Sequence, residues 1–173
     1  MLVVAATERE LASVRDAETV GCGIGPVEAA VQTARALTLR TPDAVLHVGI
    51  AGGRGIEPLS VVVGSASVYS DVSAAIPVVD RIEPDAKLLR RVQRALPEAR
   101  ALPIGTSAAV DGGTGCDVEA MEGFGVLRAA PAIGAVLASL VLAARPPLAN
   151  AGRTLLISVG AYGVTIVGFG LSQ

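Results

Sequence analysis

ETVGCGIGPVEAAVQTARAL, residues 18–37, is the stretch from which the fold is read. Residues 18–22 read as a strand that runs into Gly21-Cys22-Gly23-Ile24-Gly25-Pro26, and Pro26 fits the first turn of a helix. Val27, Ala30, Val31, Ala34 and Leu37 then recur at helical spacing and form its expected apolar face. Upstream, residues 2–6 are a short apolar run suited to a buried strand. Thr7 can cap the helix that follows, with Glu8 and Glu10 where a helix dipole favours acid. Downstream, Thr41-Pro42-Asp43 is punctuation, and residues 44–48 make another strand that enters the run 49–53, Gly-Ile-Ala-Gly-Gly. Residues 60–69 are rich in β-branched side chains and read as a long strand. A charged amphipathic helix is expected over 85–95, a strand over 101–106, and a glycine-rich loop over 107–115. A strand tip over 117–119 and a helix from about Glu122 complete the series. Strands alternating with helices predict an α/β layer fold.

Charge divides the chain. Of 173 residues, 14 are Lys or Arg and 16 are Asp or Glu, a formal net charge of -2. Only Arg145 and Arg153 lie beyond Arg128, so residues 1–128 carry 28 charges and residues 129–173 carry two. A composition 51% apolar excludes a disordered chain. The acidic N-terminal part has no Lys/Arg cluster and almost no aromatic residues, which argues against nucleic-acid binding. Cys22 and Cys116 form neither a disulfide framework nor a zinc ligand set. His47 has no second ligand near it in sequence and reads as a core or near-surface histidine. No metal and no cofactor are expected. The start, MLVVAATERE, lacks a basic region and reads as no signal peptide.

Residues 129–144 are sixteen without a charge, and residues 154–173 are twenty more. A membrane-spanning helix needs roughly 20 apolar residues, so this tail is read as an apolar, transmembrane-like helical hairpin. Two buried helices or strands of a soluble core are the competing reading.

Three places can carry chemistry. Glu10 follows a buried strand, at the carboxyl edge where α/β sheets place ligands, and a carboxylate there can act as a base on water. On spacing alone, Glu10 reads rather as an exposed helix glutamate. The glycine loop 21–26 lacks the dinucleotide spacing; its backbone N–H groups can meet an anion or a sugar hydroxyl, or its glycines can simply serve a tight turn. In Val118-Glu119-Ala120-Met121-Glu122-Gly123-Phe124, two acids flank Ala-Met where strand passes to helix. They can accept from sugar hydroxyls while Met packs under a sugar face, or they can be ordinary acids at a helix start.

Taken in order, MLVVAATEREL, GCGIGPVEAA, VLHVGIAGG, SVVVGSASVYSD and DVEAMEGFGVLRAA resemble the nucleoside phosphorylase/nucleosidase superfamily over residues 1–130. The E-A-M-E-G-F form is most like futalosine hydrolases, relatives of the methylthioadenosine/S-adenosylhomocysteine nucleosidases. The resemblance implies a three-layer α/β/α domain with a mixed central sheet. It implies hydrolysis of the N-glycosidic bond of a purine-type nucleoside through an oxocarbenium-like ribosyl transition state. By this resemblance Glu10 activates the water, Met121 and Glu122 hold the ribose, and Ile50, Ala51 and Gly52 line the ribose pocket, where Ile50 brings no hydroxyl. It further implies a small-molecule nucleoside as the partner, a cytoplasmic setting for residues 1–128 and a homodimer.

The sequence departs from that pattern after Glu122. Family members continue with a strand ending in Arg-x-x-Ser-Asp or a variant with Asn, which assists protonation of the leaving base. Here Arg153 to Ser158 imitates it at the wrong spacing, and no acidic residue follows Glu122. The domain therefore reads as truncated. Residues 129–173 instead resemble a helix pair of a major facilitator superfamily transporter, with membrane association through that segment. Residues 127–130 then read as a seam between two coding sequences. The alternative to a nucleosidase is a non-catalytic chimera or transporter fragment carrying a nucleosidase-derived domain.

Overall fold

The computed structural model describes residues 1–130. In chain order these form β1 (Leu2–Ala5), α1 (Glu8–Leu11), β2 (Glu18–Gly21), α2 (Pro26–Leu39), β3 (Val45–His47) and β4 (Gly52–Gly53). Then follow β5 (Val62–Tyr69), β6 (Arg81–Ile82), α3 (Ala86–Ala95), β7 (Arg100–Thr106), β8 (Val118–Ala120) and a helical stretch over residues 123–130. The apolar pair expected over 129–173 lies, from residue 131 on, outside the described residues. Among the described residues no helix is long and apolar enough to cross a membrane.

β1 is the centre of a parallel sheet ordered β2-β1-β3, with Leu2 opposite both Glu18 and Val45. All four of its residues are buried, the signature of a parallel strand covered on both faces. Leu2 and Val4 point to a cluster with Cys22, Ala29 and Leu37 of the α2 side and Val126. Val3 and Ala5 point the other way, to Leu11 of α1 and the half-buried Val14, Ala17 and Val48. Helical layers thus cover both faces of the strand, as the expected three-layer α/β/α architecture requires. Full burial of each Val or Leu is worth about 1.5–3 kcal/mol.

A second sheet, ordered β4-β8-β7-β5-β6, is mixed. β5, β7 and β8 run parallel, while β4 lies antiparallel to β8 and β6 antiparallel to β5. The chain leaves β3 through the glycine run 49–53 and enters β4 there, so one expected sheet is two. Neither β4 nor β6 is visible in sequence, since each is two residues long and borrows its pairing from a neighbour.

The expected apolar face of α2 is corrected. Val27 and Val31 are 72% and 55% exposed, and the buried residues are Pro26, Ala29, Thr33, Ala36 and Leu37. Size explains the choice better than hydrophobicity. A Cβ at Gly125 would overlap the Pro26 carbonyl oxygen and lie 3.0 Å from the Ala30 amide nitrogen. The helix over 123–130 therefore meets α2 nearly backbone to backbone, and small residues permit that approach. Phe124 anchors the same helix from its other side, its ring stacked on Tyr69 of β5 at 5.0 Å.

Candidate functional site

The parallel strands β1, β2, β3, β7 and β8 all deliver their carboxyl ends to one open cleft of about 1100 Å³. Glu10, Ile50, Ala51, Gly52, Met121 and Glu122 all line it, so every site residue expected from sequence is brought to one place. Pairing of Gly52 with Glu119 across β4 and β8 sets the 50–52 segment beside Met121 and Glu122.

Glu10 is held rather than merely exposed. Thr7 caps α1, and Glu10 completes the capping box: its Oε2 accepts from the Thr7 amide at 2.9 Å and the Thr7 hydroxyl at 2.8 Å. Its Oε1 accepts from the Ile50 amide at 3.0 Å, a bond between residues 40 apart in sequence. Burial alone would raise the carboxyl's pKa. Hydrogen bonds from Ile50 and Thr7, with the nearby His47, outweigh it and hold the group below the usual glutamate value. A carboxylate offers about four lone-pair positions, and three are taken, leaving one on Oε1 for a molecule in the cleft.

Glu122 is nearly buried, 7% exposed, and immediately precedes the helix over 123–130. Its Oε1 accepts from the Gly25 amide at 3.0 Å and its Oε2 from the Met121 amide at 3.2 Å. Its carbonyl closes the first helical turn by accepting from Val126. The acid stands at a helix start, as one sequence reading expects, and it also reaches the cleft. The glycine loop has its own reason. Gly25 lies at φ 96°, ψ 158°, a conformation essentially reserved for glycine, and this aims its N–H at Glu122.

Glu119 has a different task from the sugar contact read from its motif. Its Oε1 is engaged by the Arg54 guanidinium and by both the amide and hydroxyl of Thr114, each at 3.0 Å. This ties the loop over 107–115 to the cleft floor. Asp71 ties the other end, accepting from the Ser107 hydroxyl at 2.7 Å and the Ala108 amide at 2.6 Å. Ser107, Ala109, Val110 and Asp111 of that loop line the cleft, with Val110 and Ile50 exposing apolar side chains to it.

Sequence reasoning missed His47. It closes β3, its imidazole pKa is lowered by burial, and the charges of Glu122 and Glu10 pull in the opposite direction. The only sequence signal was its position two residues before the glycine run. Cys22, at the end of β2, is fully buried, and burial with the Glu122 charge pushes its thiol up to about 11. Among the described residues no group of three or more His, Cys, Asp or Glu is arranged to hold a metal ion.

The family model of the Phosphorylase superfamily matches residues 16–158, a stretch that runs through residues 127–130. No curated protein matches the chain. Among solved structures, the 5′-methylthioadenosine/S-adenosylhomocysteine nucleosidase of Colwellia psychrerythraea 34H, in complex with adenine, superposes with a TM-score of 0.66 at 20% identity. The match covers 77% of this chain and 76% of that one. The S-adenosylhomocysteine nucleosidase of Streptococcus pyogenes, in complex with 5-methylthiotubericidin, gives 0.66 at 20% identity, over 77% and 78%. A variant Helicobacter pylori nucleosidase with 5′-methylthioadenosine in its active site gives 0.66 at 15%, over 77% and 79%. At such identities the likeness is one of fold.

Proposed function

Because the chain belongs to the Phosphorylase superfamily, we propose that it hydrolyses the N-glycosidic bond of a purine-type nucleoside, with the site contained in residues 1–128. The observation that carries this reading is the unspent acceptor on Glu10 Oε1, facing a cleft that Glu122 and Met121 also line.

In the proposed reaction the ribose lies over Met121, with its hydroxyls donating to Glu122. As the bond to the base lengthens, positive charge develops on the ribosyl ring. Carboxylates held by fixed backbone donors stabilise that charge without reorganising, which is where such groups are worth most. Water bound to Glu10 then adds to the ring and gives up a proton to that carboxylate. The departing base takes a proton at nitrogen from solvent, so that free ribosyl product and neutral base leave. A carboxyl held below its usual pKa is a weak base, yet an oxocarbenium-like centre needs little nucleophilic push, so orienting the water suffices. Four carboxylates (Glu10, Asp111, Glu119 and Glu122) line the cleft against two arginines, Arg9 and Arg54, the latter paired with Glu119. This net negative lining disfavours phosphate as the attacking group relative to water. The base would be a purine type, with futalosine and 5′-methylthioadenosine the first nucleosides to try. The reading includes a homodimer and no nucleic acid.

The test is to incubate the purified full chain with each nucleoside and separate the products by chromatography. Free base and free ribosyl product, at a rate indifferent to added phosphate, are expected. Glu10→Gln should lower the rate by about 10²–10⁴-fold. Phosphate dependence with ribose 1-phosphate as product would make the chain a phosphorylase. Absence of base release from a chain folded by circular dichroism would end the hydrolase reading.

A further inference from the structure

His47 lies between the segments that carry two carboxylates. It stands opposite Val4 in the β1–β3 ladder, so its side chain shares the face of β1 that is covered by α2 and Val126. A methyl group placed on Gly123 would lie 4.0 Å from His47 Nδ1, 3.3 Å from Ser67 Oγ and 3.6 Å from Thr106 Oγ1. Glu122 is the residue before Gly123, and a methyl on Gly49, two residues after His47, would lie 3.1 Å from Glu10 Oε1. The imidazole therefore sits beneath the cleft, between the supports of the two acids. Ser67 and Thr106 hydrogen-bond each other at 3.1 Å, and Thr106 also accepts from the Phe124 amide, so this neighbourhood is polar and fixed.

We propose that His47 is a positioning residue that sets the charge of the site, neutral while the site works and shutting it down when it takes up a proton. The catalytic half of this inference rests on the hydrolase reading; the electrostatic half rests on the ring's place beside Gly123 and two residues before Gly49, with the pull of the two acids on it. A neutral ring leaves the charge of Glu10 and Glu122 directed at the ribosyl cation. A protonated ring offsets part of that charge. The titratable groups that act on the ring are Glu122 from the start of the helix over 123–130 and Glu10 from α1. Burial keeps the ring neutral near pH 7, while the two acids favour its protonation as pH falls.

The chain has one histidine, so its ring signals in an NMR titration report this residue alone. In the full chain, Glu10→Gln and Glu122→Gln should each move the His47 midpoint downward, because each removes a charge that favours the protonated ring. A midpoint indifferent to both substitutions overturns the proposal. With 5′-methylthioadenosine as the probe, kcat/KM of the parent should fall about tenfold per pH unit below that midpoint. In His47→Gln, normalised to its own value at neutral pH, this limb should disappear. A limb retained at the same midpoint also overturns the proposal. Should His47→Gln fail to fold, the titration of the two glutamine variants decides the matter. If no nucleoside is cleaved, the hydrolase reading falls, and a midpoint that moves with the acids still supports the charge coupling.

Discussion

Gly125→Ala is the sharpest probe of how the site is held together. The added methyl would overlap the Pro26 carbonyl oxygen and stand 3.0 Å from Ala30 N and 3.2 Å from the Pro26 carbonyl carbon. All three are backbone atoms of α2, so no side chain can swing aside, and the two helices must move apart. Alanine in a helix interior gains about 1 kcal/mol over glycine in intrinsic propensity. Overpacking a filled core costs about 1–3 kcal/mol, and rigid backbone on the receiving side puts this case at the upper end. The balance is a net loss of about 1–2 kcal/mol. For a chain of this size that lowers the melting temperature by about 2–8 °C. The wedge also acts on function. Gly25 caps α2 and Glu122 precedes the other helix, so separation stretches the 3.0 Å bond between them. Thermal and urea melts of parent and variant, with nucleoside cleavage assayed in parallel, measure both effects. A variant as stable as the parent, or more so, would refute the close helix contact and leave propensity as the deciding factor.

Three further outcomes are expected. Thr7→Ala removes the cap of α1 and one bond to Glu10, costing about 0.5–2 kcal/mol in a urea melt and moving the Glu10 carboxyl up towards its usual value. Because the folded pKa of His47 is lowered, the unfolded chain binds the proton first, so stability present above about pH 6.5 is lost as pH falls below it. Glu10, also lowered, adds a second loss below about pH 4.5. Urea midpoints at about pH 7.5 and about pH 5.5 check the first loss, and a midpoint that rises on acidification contradicts it. Cys22 is fully buried with its thiol pushed to about 11, whereas Cys116 is half-buried. Iodoacetamide at mildly alkaline pH should therefore label Cys116 in the folded chain and both thiols only after denaturation, as read by mass spectrometry.

The alternation of strands and helices was legible because periodicity and punctuation are local: Pro26 starts α2 and Asp85 caps α3 as their sequence positions imply. What was not legible depended on partners distant in sequence. Gly125 lets its helix lie against the Pro26 and Ala30 backbone, and α2 buries Ala29 and Ala36 while Val27 and Val31 stay exposed; a rule that ranks residues by hydrophobicity selects the opposite side. The motif reading names Glu10, Met121 and Glu122, which the fold brings to one cleft. It could not find the Ile50 and Gly25 amides, since every residue but proline carries an N–H and only the fold aims it. Glu119 and Glu122 look alike in sequence, and they are separated by Arg54 and Thr114, which claim the first.

The bond from Gly25 to Glu122 spans 97 residues, whereas that from Ile50 to Glu10 spans 40. On a ribosome the two acids therefore mature at different times. Residues 2–47 supply all three strands of the β1 sheet, and Glu10 has its donors once residue 50 has emerged. The Gly25 amide must wait for more than seventy further residues before its acid arrives. The nascent chain thus carries a finished Glu10 half of the cleft long before it has the Glu122 half, and under the proposed hydrolysis the cleft stays inert until synthesis has passed Glu122.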